Sequence, residues 1–266
     1  MKPPKPINII GLQINLEWEN PSENVRKIQS WIEPIEGADL IVLPEMFSTG
    51  FSMNAKTFAF ENEIVLNWMK ECSLKKGLAL CGSLSIEENG NYFNRFYFIE
   101  GGEIKHSYDK RHLFSLAKEE DVYSAGSERL IFSFKGWRIC PLICYDLRFP
   151  VWSRNREEYD LLLYVANWPE RRILAWDTLL RARAIENMAI VVGINRVGLD
   201  GNGIEHCGHS VIIDAMGTTI AQIEPWKEGA LEAELTKEGI EKARKKFGFL
   251  EDRDDFICPG LPEVKE

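Results

Sequence analysis

The sequence lacks an excess of positive charge. Its 266 residues contain 32 Lys and Arg against 41 Asp and Glu, so the formal net charge is −9. Nothing in this balance attracts the chain to phosphate backbones or anionic membranes, and neither nucleic acid nor membrane is expected as a partner. An acidic substrate would therefore need local Lys or Arg residues in its binding site.

Long hydrophobic runs and a disulfide framework are also missing. The first apolar stretch, residues 7–13, is too short to span a bilayer and precedes no small-residue cleavage site, so a buried strand is predicted there. In a chain of this length without a signal peptide, the cysteines are expected to be free thiols, and reducing cytoplasm is the expected compartment. There are six, Cys72, Cys81, Cys140, Cys144, Cys207 and Cys258.

Short β runs alternate with longer helical stretches along the whole chain. No repeat, low-complexity segment or linker divides it, so residues 1–266 are predicted to form a single α/β domain with two packed, mixed sheets covered by helices. Helices are predicted over 20–33, 61–76, 173–187 and 236–247. Strands are predicted over 7–13, 40–43, 78–86, 92–99, 104–108, 130–134, 138–143, 161–165, 189–195, 211–214 and 218–223.

Three segments each deliver a reactive residue directly after a predicted strand. Glu45 follows the apolar run IVLP, Lys110 follows Tyr108-Asp109, and Cys144 closes the run ICPLI. Ligands in α/β folds collect at the carboxyl ends of strands, which favours a shared site. Taken singly, each has an ordinary alternative: an outward loop acid, a solvated basic turn, and a buried structural cysteine.

Cys144 is the strongest of the three candidates. A thiol at a sharp turn after a strand projects into a pocket, and the backbone N–H of Tyr145 can point at the same place. The other five cysteines are predicted to be structural. A buried Glu45 could act as a base near neutral pH, and Lys110 could stabilise an oxyanion.

Two other kinds of site compete with this interpretation. A zinc site could draw on Cys140, Cys144, His206, Cys207 and His209, but in an extended strand Cys140 and Cys144 lie about 13 Å apart, too far to share one zinc. A cysteine–histidine pair could draw on one of the four histidines, 106, 112, 206 and 209. None of these lies in a segment as informative as those of Glu45 and Lys110.

The motifs LPEMF, YDKRHLF and ICYDLRFP resemble those of the nitrilase superfamily of carbon–nitrogen hydrolases, over about residues 9–250. The resemblance implies a Glu45–Lys110–Cys144 triad, a four-layer α-β-β-α sandwich and a homodimer joined through one helical layer. Glu45 would deprotonate Cys144, the sulfur would attack an amide carbonyl, and Lys110 with the Tyr145 N–H would hold the oxyanion. No metal or organic cofactor would be required.

Within the superfamily, stretches such as YVANWPERR and GHSVIIDAMG resemble the omega-amidases. This implies hydrolysis of a short dicarboxylic acid monoamide, such as 2-oxoglutaramate or 2-oxosuccinamate. It also implies a second active-site acid, assigned to Glu119, although Glu120 and Asp121 are adjacent. Arg148 could hold the substrate carboxylate, or could pair with Asp146 and brace the turn. A nitrilase, an N-carbamoyl hydrolase and a binding module with an inactive site remain alternatives.

Overall fold

The computed structural model describes residues 5–156 and 159–258. Five α-helices lie in this part of the chain: α1 (Pro21–Ile32), α2 (Ala55–Lys76), α3 (Pro150–Ser153), α4 (Ile173–Asn187) and α5 (Glu238–Phe247). The strands are β1 (Ile7–Gln13), β2 (Leu40–Val42), β3 (Ala79–Glu88), β4 (Asn91–Glu100), β5 (Glu103–Asp109), β6 (Phe132–Phe134), β7 (Trp137–Ile143), β8 (Leu161–Ala166), β9 (Ile190–Asn195), β10 (Val197–Leu199), β11 (Glu205–Cys207), β12 (Val211–Ile213), β13 (Thr219–Gln222) and β14 (Gly229–Leu235).

Two six-stranded mixed sheets form the frame of the molecule. The first has the order β14-β1-β2-β3-β4-β5, and the second has the order β13-β12-β9-β8-β7-β6. At the centre of each sheet three neighbouring strands are parallel, β1-β2-β3 in the first and β7-β8-β9 in the second. Parallel neighbours end at the same edge, which brings the residues that follow these strands together.

The sheets pack face to face between helical layers. Successive residues of a strand point to opposite faces of its sheet. In β1, Ile9 packs in the core between the sheets, whereas Ile10 packs with Ile28 of α1 and Met69 of α2. On the second sheet, Gly193 of β9 lies against Trp176 and Leu180 of α4. The predicted four-layer α-β-β-α sandwich is therefore confirmed.

Most predicted elements are present, with shifted ends. Helix α1 begins after the Asn20 cap, whose side chain accepts from the Glu23 N–H, and α4 has the predicted bounds. Helix α2 begins at Ala55, six residues before the prediction at Glu61, because its first two turns pack at only a few positions and show weak apolar spacing.

Strands β10, β11 and β14 were not predicted. β14 alternates Ala and Leu with Glu at the edge of the first sheet, where it pairs antiparallel with β1. An edge strand with one solvated face carries a weak apolar signal. In the described residues, no helix combines the length and apolarity needed to cross a membrane. The predicted domain of residues 1–266 includes 1–4, 157–158 and 259–266, which lie outside the described part of the chain.

Candidate active site

The three strand endings singled out in the sequence meet at one cavity. Glu45 follows β2 and Lys110 follows β5 in the first sheet, while Cys144 follows β7 in the second. All three side chains line the cavity, together with Phe51, Phe114, Tyr145, Arg148, Asn167, Trp168, Pro169 and Arg172. The geometry required for joint action of Glu45, Lys110 and Cys144 is thus present.

Lys110 lies between two buried carboxylates. Its Nζ atom is 2.8 Å from Glu45 Oε1 and 3.0 and 2.9 Å from the two carboxylate oxygens of Glu119. Burial by itself would lower the pKa of Lys110, but Glu119 and Glu45 outweigh it and the pKa is raised, so the ammonium stays charged. Burial also raises the pKa of Glu119, against the opposing effect of Lys110.

The structure distinguishes Glu119 from its acidic neighbours. Glu119 is fully buried, whereas Glu120 and Asp121 are exposed. Besides Lys110, the Glu119 carboxylate accepts from the Phe114 N–H at 2.6 Å. Of the three acids left open by the sequence, Glu119 is therefore the one beside the cavity residues.

Two asparagines that the sequence interpretation missed complete the environment of Glu45. The Asn94 side chain donates to Glu45 Oε1 at 2.8 Å, and the Asn167 N–H donates to Glu45 Oε2 at 2.8 Å. The Asn167 side chain also donates to the Glu45 carbonyl oxygen. Asn167 follows the apolar strand β8 directly, the same signal that identified Glu45 and Cys144, and could have been found by it.

Cys144 lies at a sharp turn, as predicted. Its φ angle of 42° is in the left-handed region that non-glycine residues rarely adopt, and it opens a short 3₁₀ turn after β7. Burial raises the pKa of the Cys144 thiol, Glu45 raises it further, and Lys110 opposes them without overcoming the rise. The net direction is a raised pKa, which favours the neutral thiol of Cys144 beside the Glu45 carboxylate.

The Asp146 side chain stabilises this turn through hydrogen bonds. Its buried carboxylate accepts from the Ile143 N–H at 3.0 Å and from the Tyr108 hydroxyl at 2.8 Å. It also contacts the backbone N–H of His112 at 3.0 Å and His112 Nδ1 at 2.7 Å. The brace thus links the end of β7 to the segment that carries Lys110.

Two arginines reach the cavity from the second sheet. The Arg148 guanidinium lies 4.9 Å from the Trp168 ring centroid, and none of the hydrogen bonds described for Asp146 comes from it. Arg172, which the sequence interpretation missed, lies 4.9 Å from the Phe114 ring. Its pKa is lowered chiefly by burial and by Arg171, with Cys144 acting in the opposite direction. Both cations therefore face the space next to the thiol.

The competing kinds of site find no support in this geometry. No histidine is among the residues that line the cavity with Cys144. His112 contacts Asp146, His209 contacts Asp177, and His206 is buried against the Ile204 carbonyl. Over residues 5–156 and 159–258, no group of three His, Cys, Asp or Glu side chains could hold a metal ion. The other cysteines are buried except Cys258, which is partly exposed.

Comparison with known proteins agrees with this geometry. A family model described as carbon–nitrogen hydrolase matches residues 8–245. Omega-amidase YafV of Escherichia coli (strain K12) is 45% identical over 250 residues, covering 94% of this chain and 98% of the relative. The 2-oxoglutaramate amidase of Bacillus subtilis (strain 168) is 35% identical over 248 residues, covering 91% of this chain and 95% of the relative.

Solved structures extend the likeness to three dimensions. A superfamily protein of Xanthomonas campestris, solved with an arsenic adduct in its active site, has a TM-score of 0.90 at 37% identity, covering 95% of this chain and 99% of that chain. An amidase from Nesterenkonia has a TM-score of 0.81 at 23% identity, covering 92% and 96%, which establishes a common fold. With the family model spanning most of its length, this chain belongs to the carbon–nitrogen hydrolase family of enzymes, which act on carbon–nitrogen bonds other than peptide bonds.

Proposed function

We propose that this enzyme is an omega-amidase that converts a short dicarboxylic acid monoamide, such as 2-oxoglutaramate or 2-oxosuccinamate, into the acid and ammonia. The observation that carries the proposal is the cavity itself. It holds the Cys144 thiol and the Lys110–Glu45 pair together with two arginines. The relatives named omega-amidase YafV and 2-oxoglutaramate amidase support the same substrate class.

The first chemical step is the attack of sulfur on the amide carbonyl. Because the resting group is a thiol with a raised pKa, the S–H proton passes to the Glu45 carboxylate as the S–C bond forms. A tetrahedral oxyanion results. Lys110 and the Tyr145 N–H are proposed to bind this oxyanion, each such donor contributing roughly 3–4 kcal/mol.

The second half of the reaction releases the acid. Glu45 returns its proton to the departing nitrogen, the C–N bond breaks, and ammonia leaves a thioester on Cys144. A water that loses its proton to Glu45 then hydrolyses the thioester and restores the thiol. Glu119 is proposed to hold Lys110 in place, since both of its oxygens accept from the ammonium. No metal or organic cofactor takes part in this scheme.

Arg148 and Arg172 are proposed to bind the free carboxylate of the substrate. A protein of net charge −9 needs local cations for an acidic ligand, and both guanidinium groups line the cavity that contains Cys144. Each guanidinium group lies over an aromatic ring. The N–H groups at its edge are therefore available to donate a bidentate pair of hydrogen bonds to a substrate carboxylate.

The test compares each acid amide with its methyl ester, in which the carboxylate is masked. We expect the ester to have a much lower kcat/KM, and Arg172→Gln to reduce kcat/KM for the acid by about 10- to 100-fold while leaving the ester almost unchanged. Arg171→Gln is the matched control, since Arg171 is exposed and outside the cavity lining. Equal specificity constants for acid and ester would reduce the assignment to a generic amidase.

An ammonia-release screen separates this proposal from the other enzymes of the family. Turnover of a nitrile or an N-carbamoyl compound in preference to the acid amides would assign the chain to a nitrilase or an N-carbamoyl hydrolase. Absence of any turnover, with Cys144 unreactive towards iodoacetamide, would favour a binding module.

We further propose that residues 1–266 act as one domain in the cytoplasm and assemble as a homodimer. Free thiols and a cysteine nucleophile suit a reducing compartment. Ile185 of α4, Met216 between β12 and β13, and Ile220 of β13 are large apolar side chains that are 44–49% exposed, which suits a contact with a second copy through α4 and the neighbouring sheet edge. Light scattering of the purified protein tests the assembly, and a monomer at micromolar concentration would contradict it.

A further inference from the structure

Asn94 contacts both carboxylates of the site, although it lies in the middle of strand β4. Its side chain is fully buried, and its Nδ2 atom donates to Glu45 Oε1 at 2.8 Å and to Glu119 Oε1 at 3.4 Å. Its backbone carbonyl accepts from the Lys110 N–H at 3.0 Å. One residue thus contacts all three members of the buried charge cluster.

The hydrogen bonds to the two carboxylates are unevenly distributed. Each carboxylate oxygen offers about two lone-pair positions. Glu119 Oε1 accepts from Lys110 and Asn94, and Glu119 Oε2 accepts from Lys110 and the Phe114 N–H. Glu45 Oε1 likewise accepts from Lys110 and Asn94. In the described part of the chain, Glu45 Oε2 accepts a single N–H, that of Asn167.

We infer that Asn94 is a positioning residue that occupies Glu45 Oε1 together with Lys110 and so directs the Cys144 proton to Glu45 Oε2. The inference rests on the proposed role of Glu45 as the base. In the step concerned, the S–H bond of Cys144 breaks, an O–H bond forms on Oε2, and the sulfur electron pair attacks the carbonyl carbon. The same proton later leaves Oε2 for the departing nitrogen.

A neutral donor is suited to this position. An apolar residue here would leave the Glu45 carboxylate with one donor fewer in a buried site. The side-chain oxygen of Asn94, Oδ1, receives no hydrogen bond from a described residue, whereas its Nδ2 group donates to both carboxylates. The amide orientation follows, because a carboxylate oxygen can only accept.

The inference predicts a change in the pH dependence of Cys144 reactivity. The groups that face Glu45 are Lys110 and Glu119, Cys144 across the cavity, and Tyr123 at longer range. A hydrogen bond to a carboxylate favours its ionised form, and one to a charged group is typically equivalent to about one to two pH units. Removing the Asn94 donor should therefore move the acid limb of reactivity to higher pH by about that amount.

The experiment follows Cys144 alkylation by iodoacetamide, measured on its peptide by mass spectrometry, from about pH 5 to about pH 9, alongside kcat/KM for ammonia release. Asn94→Leu, similar in size but without donors, should shift both acid limbs upward and lower kcat far more than it changes KM. The control is Asn155→Ala, a fully buried asparagine that ties Tyr159 to Asn187 away from the cavity. It should lower thermal stability without moving either profile.

Asn94→Asp provides the second arm if the leucine variant does not fold. A carboxyl group at this position can donate only while protonated, so alkylation and turnover should survive on the acidic side and fall as pH rises. Wild-type pH profiles in the variants, with only a loss of stability as in Asn155→Ala, would overturn the inference. The alkylation rate needs no amide substrate, so failure of the omega-amidase assignment would appear separately, as wild-type protein with a reactive Cys144 and no ammonia release.

Discussion

The two sheets contribute different groups to the same cavity. The first sheet supplies the buried ion pair of Glu45, after β2, and Lys110, after β5, and Asn94 within β4 donates to the Glu45 carboxylate. The second supplies the neutral Cys144 thiol after β7 and the Asn167 amide after β8, and its loops also bring the cations Arg148 and Arg172 to the cavity lining. Each half lacks what the other provides, so the chemistry depends on the packing of one sheet against the other.

The difference reflects what each type of group needs in a buried place. A buried charge is tolerated when a partner of opposite sign and further hydrogen bonds satisfy it, which groups Lys110 with two carboxylates on one side. A neutral thiol needs no counter-ion. It can therefore occupy the strained turn at Cys144 on the other side without a partner of opposite charge.

The largest expected effect comes from removing the Cys144 thiol, which the second sheet supplies. Cys144→Ala should abolish ammonia release, a loss on the order of 10⁴-fold or more, because the sulfur forms the covalent intermediate. The melting temperature should change little. Cys140→Ala, in the interior of the same strand, should keep turnover and lose on the order of 1 kcal/mol of stability. Ammonia assays with thermal unfolding compare the two, and residual turnover in the Cys144 variant would contradict the assignment.

The next largest effect comes from removing the buried cation Lys110, which the first sheet supplies. Lys110→Met should reduce turnover by several orders of magnitude and also destabilise the fold by about 3–5 kcal/mol, because two buried carboxylates lose their cation. The destabilisation should shrink as pH falls, since protonation removes the unpaired charge.

Denaturant unfolding across pH measures this prediction. Lys105→Met is the matched control, because Lys105 lies in β5, the strand that precedes Lys110, but is exposed and pairs only with Glu103 among the described residues. It should change neither activity nor stability appreciably. Near wild-type turnover in the Lys110 variant would remove Lys110 from the mechanism.

The smallest effect comes from weakening the hydrogen bonds of Asp146, which connect the Cys144 turn to the segment that carries Lys110. In Asp146→Asn the amide cannot accept from all of Ile143, Tyr108 and His112, so the Cys144 turn should lose part of its support. We expect about a tenfold loss in kcat and about 1–3 kcal/mol of stability. Asp160→Asn is the control, since Asp160 accepts from the Arg138 N–H at the opposite end of β7. Equal kcat losses in both variants would mean that the turn is not specifically braced.

Sequence patterns found the parts of the site that follow apolar strands. Glu45 and Cys144 stand out because an ionisable group or a thiol directly after a buried run is unusual, and Lys110 comes with two more polar residues at a strand end. Asn94 gave no such signal. It lies in the mixed polar and aromatic first half of β4, where Asn91 is exposed and Arg95 is half-buried, so nothing in the residue pattern distinguishes Asn94 from these neighbours.

The two arginines and the brace illustrate a further limit. Arg148 was a candidate from its distance in sequence to Cys144, whereas Arg172 is 28 positions from that residue and reaches the cavity because the loop after β8 folds over it. The alternative of an Arg148–Asp146 pair gave way to contacts of Asp146 with Tyr108 and His112, from a segment more than thirty residues away.

By itself, the sequence determined the alternation of strands and helices and the turn at Cys144, and it made Glu45, Lys110 and Cys144 candidates, because these depend on local periodicity and on what directly follows a buried run. The resemblance to the nitrilase superfamily joined the three candidates into a triad. Only the tertiary structure decided which acid among Glu119, Glu120 and Asp121 joins Lys110, how Asn94 and Asn167 divide the oxygens of Glu45, and that burial raises the pKa of the Cys144 thiol. These outcomes depend on burial and on distances between groups far apart in the chain, which are set when the two sheets pack.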